Sequence, residues 1–309
     1  MKRFSIALHG GAGTILRQHM TTEKERAYKE ALDNALEAGY AILAEAGSAI
    51  DAVERAVVEL EDSPLFNAGR GSVFTAAGKH EMDASIMEGR TLGAGAVSLV
   101  TNVKNPVVLA RLVMEKSGHV FLAGDGAMAF AKAMKCELRD EDYFYDEFRY
   151  RQWQETKGSG KTQLDHTVPK EDKFGTVGAV ALDQHGNLAA ATSTGGMTNK
   201  KFGRVGDSPM IGAGNYANNA TCAVSCTGSG EFFIRGVVAY DVSCLMEYKN
   251  LALRQACDEV IHQRLKRIGG DGGLVAVDAK GNMAMPFNTD GMYRASCGVG
   301  QDKIIEIYK

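Results

Sequence analysis

The run Lys173-Phe174-Gly175-Thr176-Val177-Gly178-Ala179-Val180-Ala181-Leu182-Asp183 joins a polar, patternless stretch to a clean apolar strand. A strand that is apolar at nearly every position is covered on both faces. Asp183-Gln184-His185-Gly186-Asn187 then forms a turn, and a returning strand follows. The same phrase recurs further on as Gly272-Gly273-Leu274-Val275-Ala276-Val277-Asp278-Ala279-Lys280-Gly281-Asn282. Between the two hairpins, residues 231–249 and 251–267 carry helical patterns. Strands clustered together with helices packed outside predict an α+β chain built as an αββα sandwich, two sheets with helices on their outer faces.

The first half supplies further helices. Thr22-Glu23-Lys24-Glu25 has capping-box form, and Tyr28, Ala31, Leu32, Ala35, Gly39, Ile42 and Leu43 recur at helical spacing until Gly47. Ser48 and Asp51 open a second helix with Ile50, Val53, Val57 and Leu60 on one face. Asn105-Pro106 places cap and first-turn proline in the favoured order, and Gly118 follows that helix. Residues 94–103 and 119–123 read as buried strands, and 140–153 as one more helix. Residues 155–173 change character: Lys157-Gly158-Ser159-Gly160-Lys161 is linker-like, and Pro169 breaks any helix. A loose tether ending at Gly175-Thr176 is expected there.

The chain has 309 residues, 45% of them hydrophobic, with a formal net charge of −3. That is enough apolar material for a sizeable core in one or two domains. The charge pattern has neither a basic stripe for nucleic acid nor a polybasic membrane anchor. No apolar run reaches the roughly 18 residues of a membrane span. The N-terminal apolar stretch breaks at His9-Gly10-Gly11, too soon for a signal sequence, so a cytoplasmic protein is expected. Of six cysteines, Cys222 and Cys226 are the close pair, and no second pair or nearby histidine completes a zinc set. On a strand they share a face, as buried small residues do.

A threonine opening a strand is ordinary. Thr176 stands out because of the glycine before it and the polar residues that follow. Glycine takes backbone geometry closed to other residues. Attack by the Thr176 hydroxyl on the Gly175 carbonyl would release Thr176 as a new N-terminus. Its amine, with a pKa of about 7.7–8, would serve as general base to its own hydroxyl. Thr192-Ser193-Thr194-Gly195-Gly196 lies on the returning strand, which brings Thr194 back beside Thr176. In Gly203-Arg204-Val205-Gly206-Asp207, opposite charges sit three residues apart among glycines. A guanidinium grips a carboxylate with two parallel bonds and a carboxylate holds an ammonium, so the pair describes a socket for an amino acid. Cys226-Thr227-Gly228-Ser229-Gly230-Glu231 ends an alternating strand with small residues that aim a hydroxyl and an N–H at an oxyanion.

With these motifs the chain resembles the plant-type asparaginase and isoaspartyl aminopeptidase family of N-terminal-nucleophile hydrolases. The likeness runs through His9-Gly10-Gly11-Ala12-Gly13, Leu60-Glu61-Asp62-Ser63-Pro64-Leu65-Phe66-Asn67-Ala68-Gly69 and Met82-Asp83-Ala84-Ser85-Ile86-Met87, and is strongest over residues 175–231. It implies Thr176 as nucleophile, after cleavage of a single 1–309 domain into an α part, 1–175, and a β part, 176–309. It implies Thr194 as hydroxyl support, Arg204 for the substrate carboxylate and Asp207 for its ammonium. Thr227 and the Gly228 N–H would form the oxyanion hole, the Gly230 carbonyl would help hold the amine, and Asn67 would stand close by. A structural sodium ion is implied on the backbone carbonyls of Leu60, Glu61, Ser63, Phe66, Ala68 and Arg70, with no redox or organic cofactor. The expected substrates are L-asparagine and β-aspartyl dipeptides, and the expected assembly is a dimer of αβ units, (αβ)2.

Glycosylasparaginases, the alternative within the class, share the Arg204–Asp207 block but resemble one another in having aspartate where this chain has Gly175. His9-Gly10-Gly11 lacks the Gly-x-Ser-x-Gly elbow that a lipase loop requires. Gly212-Ala213-Gly214-Asn215-Tyr216-Ala217 has dinucleotide-like spacing without the strand before it or the helix behind it.

Overall fold

Both echoing hairpins form, one in each of two stacked sheets. The computed structural model describes residues 3–158 and 175–309. The first part runs β1 (Ser5–Gly13), α1 (Thr22–Ala44), α2 (Ala49–Asp62), β2 (Met82–Glu88), β3 (Ala94–Val100), α3 (Pro106–Lys116), β4 (Phe121–Ala123), α4 (Gly124–Ala133), α5 (Glu141–Phe144) and α6 (Glu147–Gly158). The second runs β5 (Val177–Leu182), β6 (Leu188–Thr194), β7 (Asn215–Ala217), β8 (Cys222–Gly228), α7 (Gly230–Gly236), α8 (Val238–Lys249), α9 (Leu253–Glu259), β9 (Gly272–Asp278), β10 (Met283–Ala284), β11 (Gly291–Gly298) and β12 (Gln301–Tyr308). One sheet has the order β12-β11-β1-β5-β6-β2-β3-β4 and the other β10-β9-β8-β7.

The αββα layering follows from the period of two along each strand. On β1, Ile6 and Leu8 pack outward against α1 and α2 residues such as Leu36 and Val53, while Ala7 points between the sheets. On β5, Ala179 and Ala181 face the helices, and Val180 and Leu182 face Ala223, Val275 and Val277 of the second sheet. The far face of that sheet, with Cys222, Val224 and Cys226, is covered by Phe233, Val242 and Ala256 of α7, α8 and α9. Cys222 and Cys226 are therefore the buried, unbridged thiols the spacing implied. Fully burying a side chain such as Val53 or Leu60 contributes roughly 1.5–3 kcal/mol relative to exposure.

The turn phrase has one mechanism in both hairpins. Asp183 Oδ1 accepts from the N–H groups of His185 and Asn187, both at 2.9 Å, and Asp278 Oδ1 accepts from Lys280 and Asn282 at 2.8 and 2.9 Å. Ser48 caps α2 through the Asp51 N–H as expected, and Asn105 precedes Pro106 at the start of α3.

Elsewhere local expectations shift. The cap of α1 is Thr21, one residue earlier than the capping-box pattern placed it, with its hydroxyl accepting from Lys24 N–H. The αL residue after that helix is Ala46, not Gly47. Strand β4 is an exposed edge, where a buried strand was expected, because it pairs only with β3 and closes the sheet. The helix expected over 140–153 is two, interrupted at Tyr145, which is extended. Residues 231–249 divide at Val237, whose φ of +48° no α-helix accommodates. Residues 155–158 continue α6, and the rest of the expected tether lies outside the described residues. Among the described residues no helix is long and apolar enough to cross a membrane.

Candidate active site

At one end of the sandwich the layer between the sheets turns from apolar to polar, strand by strand. Ala7 gives way to His9, Ala190 to Thr192 and Thr194, Ala223 to Ser225 and Thr227, and Ala217 to Asn215. Thr176 continues the inward parity of Val180 and Gly178, so its side chain enters this layer. The β5–β6 ladder ends at the pair Val177–Ser193, the residues next to Thr176 and Thr194.

A cavity of about 130 Å³ opens here, lined by Gly175, Thr176, Thr194, Asn67, Arg204, Asp207 and Gly228. It compares with the roughly 150 Å³ that accepts a benzene-sized ligand, so it has room for a small molecule. Thr176 and Asp207 are buried. The Thr176 hydroxyl lies 3.1 Å from Ser208 Oγ. Thr194 Oγ1 accepts from the Gly196 N–H at 3.0 Å, and the side-chain hydroxyl within bonding distance of Thr176 is that of Ser208. The sequence hid this because Ser208 stands in a loop without periodicity.

Gly175 is wedged into the site. A Cβ there would sit 2.6 Å from Thr227 Oγ1, and one on Gly11 would sit 2.6 Å from the Gly175 nitrogen. Backbone approach this close requires glycine at both positions. Thr227 Oγ1 also accepts from Ala12 N–H at 3.3 Å. Gly228, at φ +154°, ends β8 against Gly272, where a side chain on either would collide with the other strand.

Arg204 donates from Nε to Glu231 Oε1 at 2.8 Å. A Cβ on Gly206 or Gly230 would lie 2.9 Å from a terminal guanidinium nitrogen, so the two glycines bracket that end of the side chain. Burial raises the Glu231 carboxyl, but the bond and charge of Arg204 outweigh it and bring it below the usual value. Asp207 has no such neighbour at bonding distance: burial pushes it up to about 7, and its Oδ2 has no hydrogen-bond partner among the described residues. A buried carboxylate oxygen without a donor is costly, and an ammonium group would satisfy it. Asn67 donates from Nδ2 to the Gly196 carbonyl at 2.7 Å and accepts from Val73 N–H at 3.1 Å, so its amide pins the loop beside the cavity. Arg149 and Gln152 of α6 also line the cavity, and no sequence motif pointed to them.

The turn after α2 is where the family resemblance places a sodium ion. The Leu60 carbonyl would look for the N–H of residue 64, which is proline, and Leu65 N–H donates to Ser63 Oγ at 3.3 Å. A Cβ on Gly69 (φ +50°) would lie 2.5 Å from the Glu61 carbonyl oxygen, and one on Gly71 would overlap that of Phe66. The Leu60 carbonyl lies at the negative end of α2, where an oxygen ligand suits a hard cation. Among the described residues no cluster of three His, Cys, Asp or Glu side chains offers a metal site.

Two sheets between helix layers, with a strand-leading threonine at the end of the inner layer, define an N-terminal-nucleophile hydrolase. The chain belongs to the asparaginase family, whose model, described as "Asparaginase", matches residues 2–307. It is 52% identical over 312 residues to a protein named isoaspartyl peptidase from Escherichia coli (strain K12), covering all of this chain and 97% of the relative. An isoaspartyl peptidase of Salmonella typhimurium is also 52% identical, with full coverage of both. The human isoaspartyl peptidase/L-asparaginase is 44% identical over 298 residues, 96% of this chain and 94% of that one.

Proposed function

We propose that this protein is an autoprocessing amidohydrolase that cleaves β-aspartyl dipeptides and L-asparagine with Thr176 as nucleophile. The observation that carries the proposal is the convergence of Thr176, the Arg204 guanidinium and the Asp207 carboxyl on one small cavity.

The chain is its own first substrate. Thr176 Oγ attacks the Gly175 carbonyl carbon, the C–N bond breaks as the nitrogen takes the hydroxyl proton, and an ester remains. Water opens that ester, leaving a Gly175 carboxylate and a free Thr176 amine, and dividing the domain into 1–175 and 176–309. In the mature enzyme the amine takes the Thr176 hydroxyl proton as the oxygen attacks the substrate's side-chain carbonyl. Thr227 Oγ1 and the Gly228 N–H stabilise the oxyanion. Ammonia or an amino acid departs with a proton, and water hydrolyses the aspartyl ester.

Arg204 receives the substrate α-carboxylate through its terminal nitrogens, Nε being engaged by Glu231. Asp207 receives the ammonium with help from the Gly230 carbonyl, and Thr194 and Asn67 shape the wall beside the nucleophile. A sodium ion on the carbonyls of Leu60, Glu61, Ser63, Phe66, Ala68 and Arg70 would stiffen the loop that carries Asn67, without entering the reaction. The family resemblance extends the proposal to an (αβ)2 assembly. Six unbridged cysteines suit a reducing compartment, which supports placing the protein in the cytoplasm.

One competition assay tests the substrate class. The socket specifies only the aspartyl amine and carboxylate, so β-aspartyl-leucine should turn over at least as well as asparagine. An α-linked aspartyl-leucine, whose α-carboxylate is consumed in the bond, should fail. Turnover of the α-linked dipeptide would sink the socket, and preference for glycosylated asparagine would move the protein to the glycosylasparaginases.

A further inference from the structure

His9 is fully buried between the sheets, and the reaction as derived above makes no use of it. Its Nδ1 lies 2.9 Å from the Thr176 carbonyl oxygen and its Nε2 lies 2.9 Å from Ser225 Oγ. A carbonyl only accepts, so Nδ1 carries the proton. We propose that His9 is a positioning residue for the nucleophile. Its neutral, Nδ1-protonated imidazole clamps the Thr176 carbonyl as the last link of a hydrogen-bond chain anchored on the second sheet. The inference rests on Thr176 being the nucleophile.

The chain has one consistent direction. Asn215 Nδ2 donates to Thr192 Oγ1 at 3.2 Å, the Thr192 hydroxyl donates to Ser225 Oγ at 2.7 Å in preference to the Gly214 carbonyl at 3.3 Å, and Ser225 donates to His9 Nε2 once Nδ1 holds the ring proton. The imidazole stays neutral throughout the working range, because burial lowers it to about 3 despite the bond to the Thr176 carbonyl.

Two features show that the backbone is arranged around this ring. The β1–β5 ladder ends at the pair His9–Gly178, and β1 bulges between His9 and Gly11, short of Thr176. Beyond the end of that ladder, the side chain of its last residue takes up the Thr176 carbonyl. The opposing residue is glycine because a Cβ at Gly178 would overlap Ser225 Oγ and lie 2.7 Å from His9 Nε2. Cleavage at Gly175–Thr176 turns Thr176 into a chain terminus, and termini fray unless tied down. The imidazole ties this one from the side opposite the cut.

Two substitutions separate positioning from packing. In His9→Asn the amide nitrogen falls near the place of Nδ1 and keeps the donor to Thr176; in His9→Gln it falls near Nε2 and keeps only Ser225. His9→Asn should retain kcat on β-aspartyl-leucine within about fivefold. His9→Gln should lose kcat by on the order of 100-fold, the scale of a misplaced reacting group, with KM within about threefold. Equal losses in the two variants, tracking their melting temperatures, would overturn the proposal. So would a loss carried by KM. Should neither variant fold, the 15N imidazole signals of the Thr176→Ala protein decide: His9 should show a protonated Nδ1 and a bare Nε2 from pH 5 to 9, and the opposite tautomer refutes the clamp. Thr176→Ala also separates the two readings. If it remains active, the nucleophile assignment falls and the clamp with it; if it is inactive while His9→Asn and His9→Gln behave alike, only the clamp falls.

Discussion

The hydroxyls of Thr176 and Ser208 lie 3.1 Å apart, and Ser208 directly follows Asp207 in the chain. The proposed nucleophile and the carboxyl proposed to hold the substrate ammonium are thus tied together through one peptide unit. Ser85 Oγ donates to the Ser208 carbonyl at 2.6 Å, which fixes Ser208 to β2.

Removing the tie should therefore affect chemistry more than binding. Ser208→Ala is expected to lower kcat by about tenfold, with KM changing less, because a hydroxyl that orients the attacking oxygen acts mainly in the transition state. Steady-state kinetics on the processed variant checks the split; a change in KM alone would assign Ser208 to the socket.

Processing is visible on a gel. The purified protein should give two chains, the smaller beginning Thr-Val-Gly-Ala, and Thr176→Ala should remain one chain. Scission of that variant at the same bond would mean that another group performs the cut.

Arg204 and Thr227 should fail in different ways. Arg204→Ala leaves the substrate carboxylate without its charged fork and should raise KM strongly, by the equivalent of about 2–5 kcal/mol. Thr227→Ala should instead lower kcat by roughly 10²–10³ through loss of an oxyanion donor. Both comparisons use material that has matured, and unchanged KM in mature Arg204→Ala removes it from the socket.

Asp207 sets an expected pH dependence. Its carboxyl is pushed up to about 7 by burial and must be ionised to receive an ammonium. In the free enzyme, kcat/KM should fall as pH drops through about 7. The bound ammonium favours the carboxylate, so the Asp207 contribution to the kcat profile should move to lower pH. The stability term has the opposite slope: the folded protein holds this proton more tightly than the unfolded chain, so stability falls as pH rises from about 4 towards 7. An acid limb of kcat/KM that stays put in Asp207→Asn would assign the titration elsewhere.

The sequence was most legible where a local device dictates a local shape. Asp183 and Asp278 announced two turns of one design, and Ser48 and Pro106 announced helix starts that the structure keeps. The inward alternation of Val180, Gly178 and Thr176 likewise follows from strand period alone. What escaped depends on residues far apart in the chain. Ser208 reaches Thr176 across a loop, and His9 meets Ser225 across the gap between sheets. Val237 interrupts a helix although a β-branched residue gives no sign of positive φ. The exposure of β4 is a property of its place at the rim, which no strand encodes by itself.

Gly175 lines the same cavity as Arg204 and Asp207. Under the proposed processing, every newly made molecule is plugged by its own backbone and turns over nothing until it has cut itself once. Specific activity then measures the age of a preparation as well as its purity. A fresh sample should show a lag that shortens on standing, independent of protein concentration, because the event that ends it takes place within a single chain.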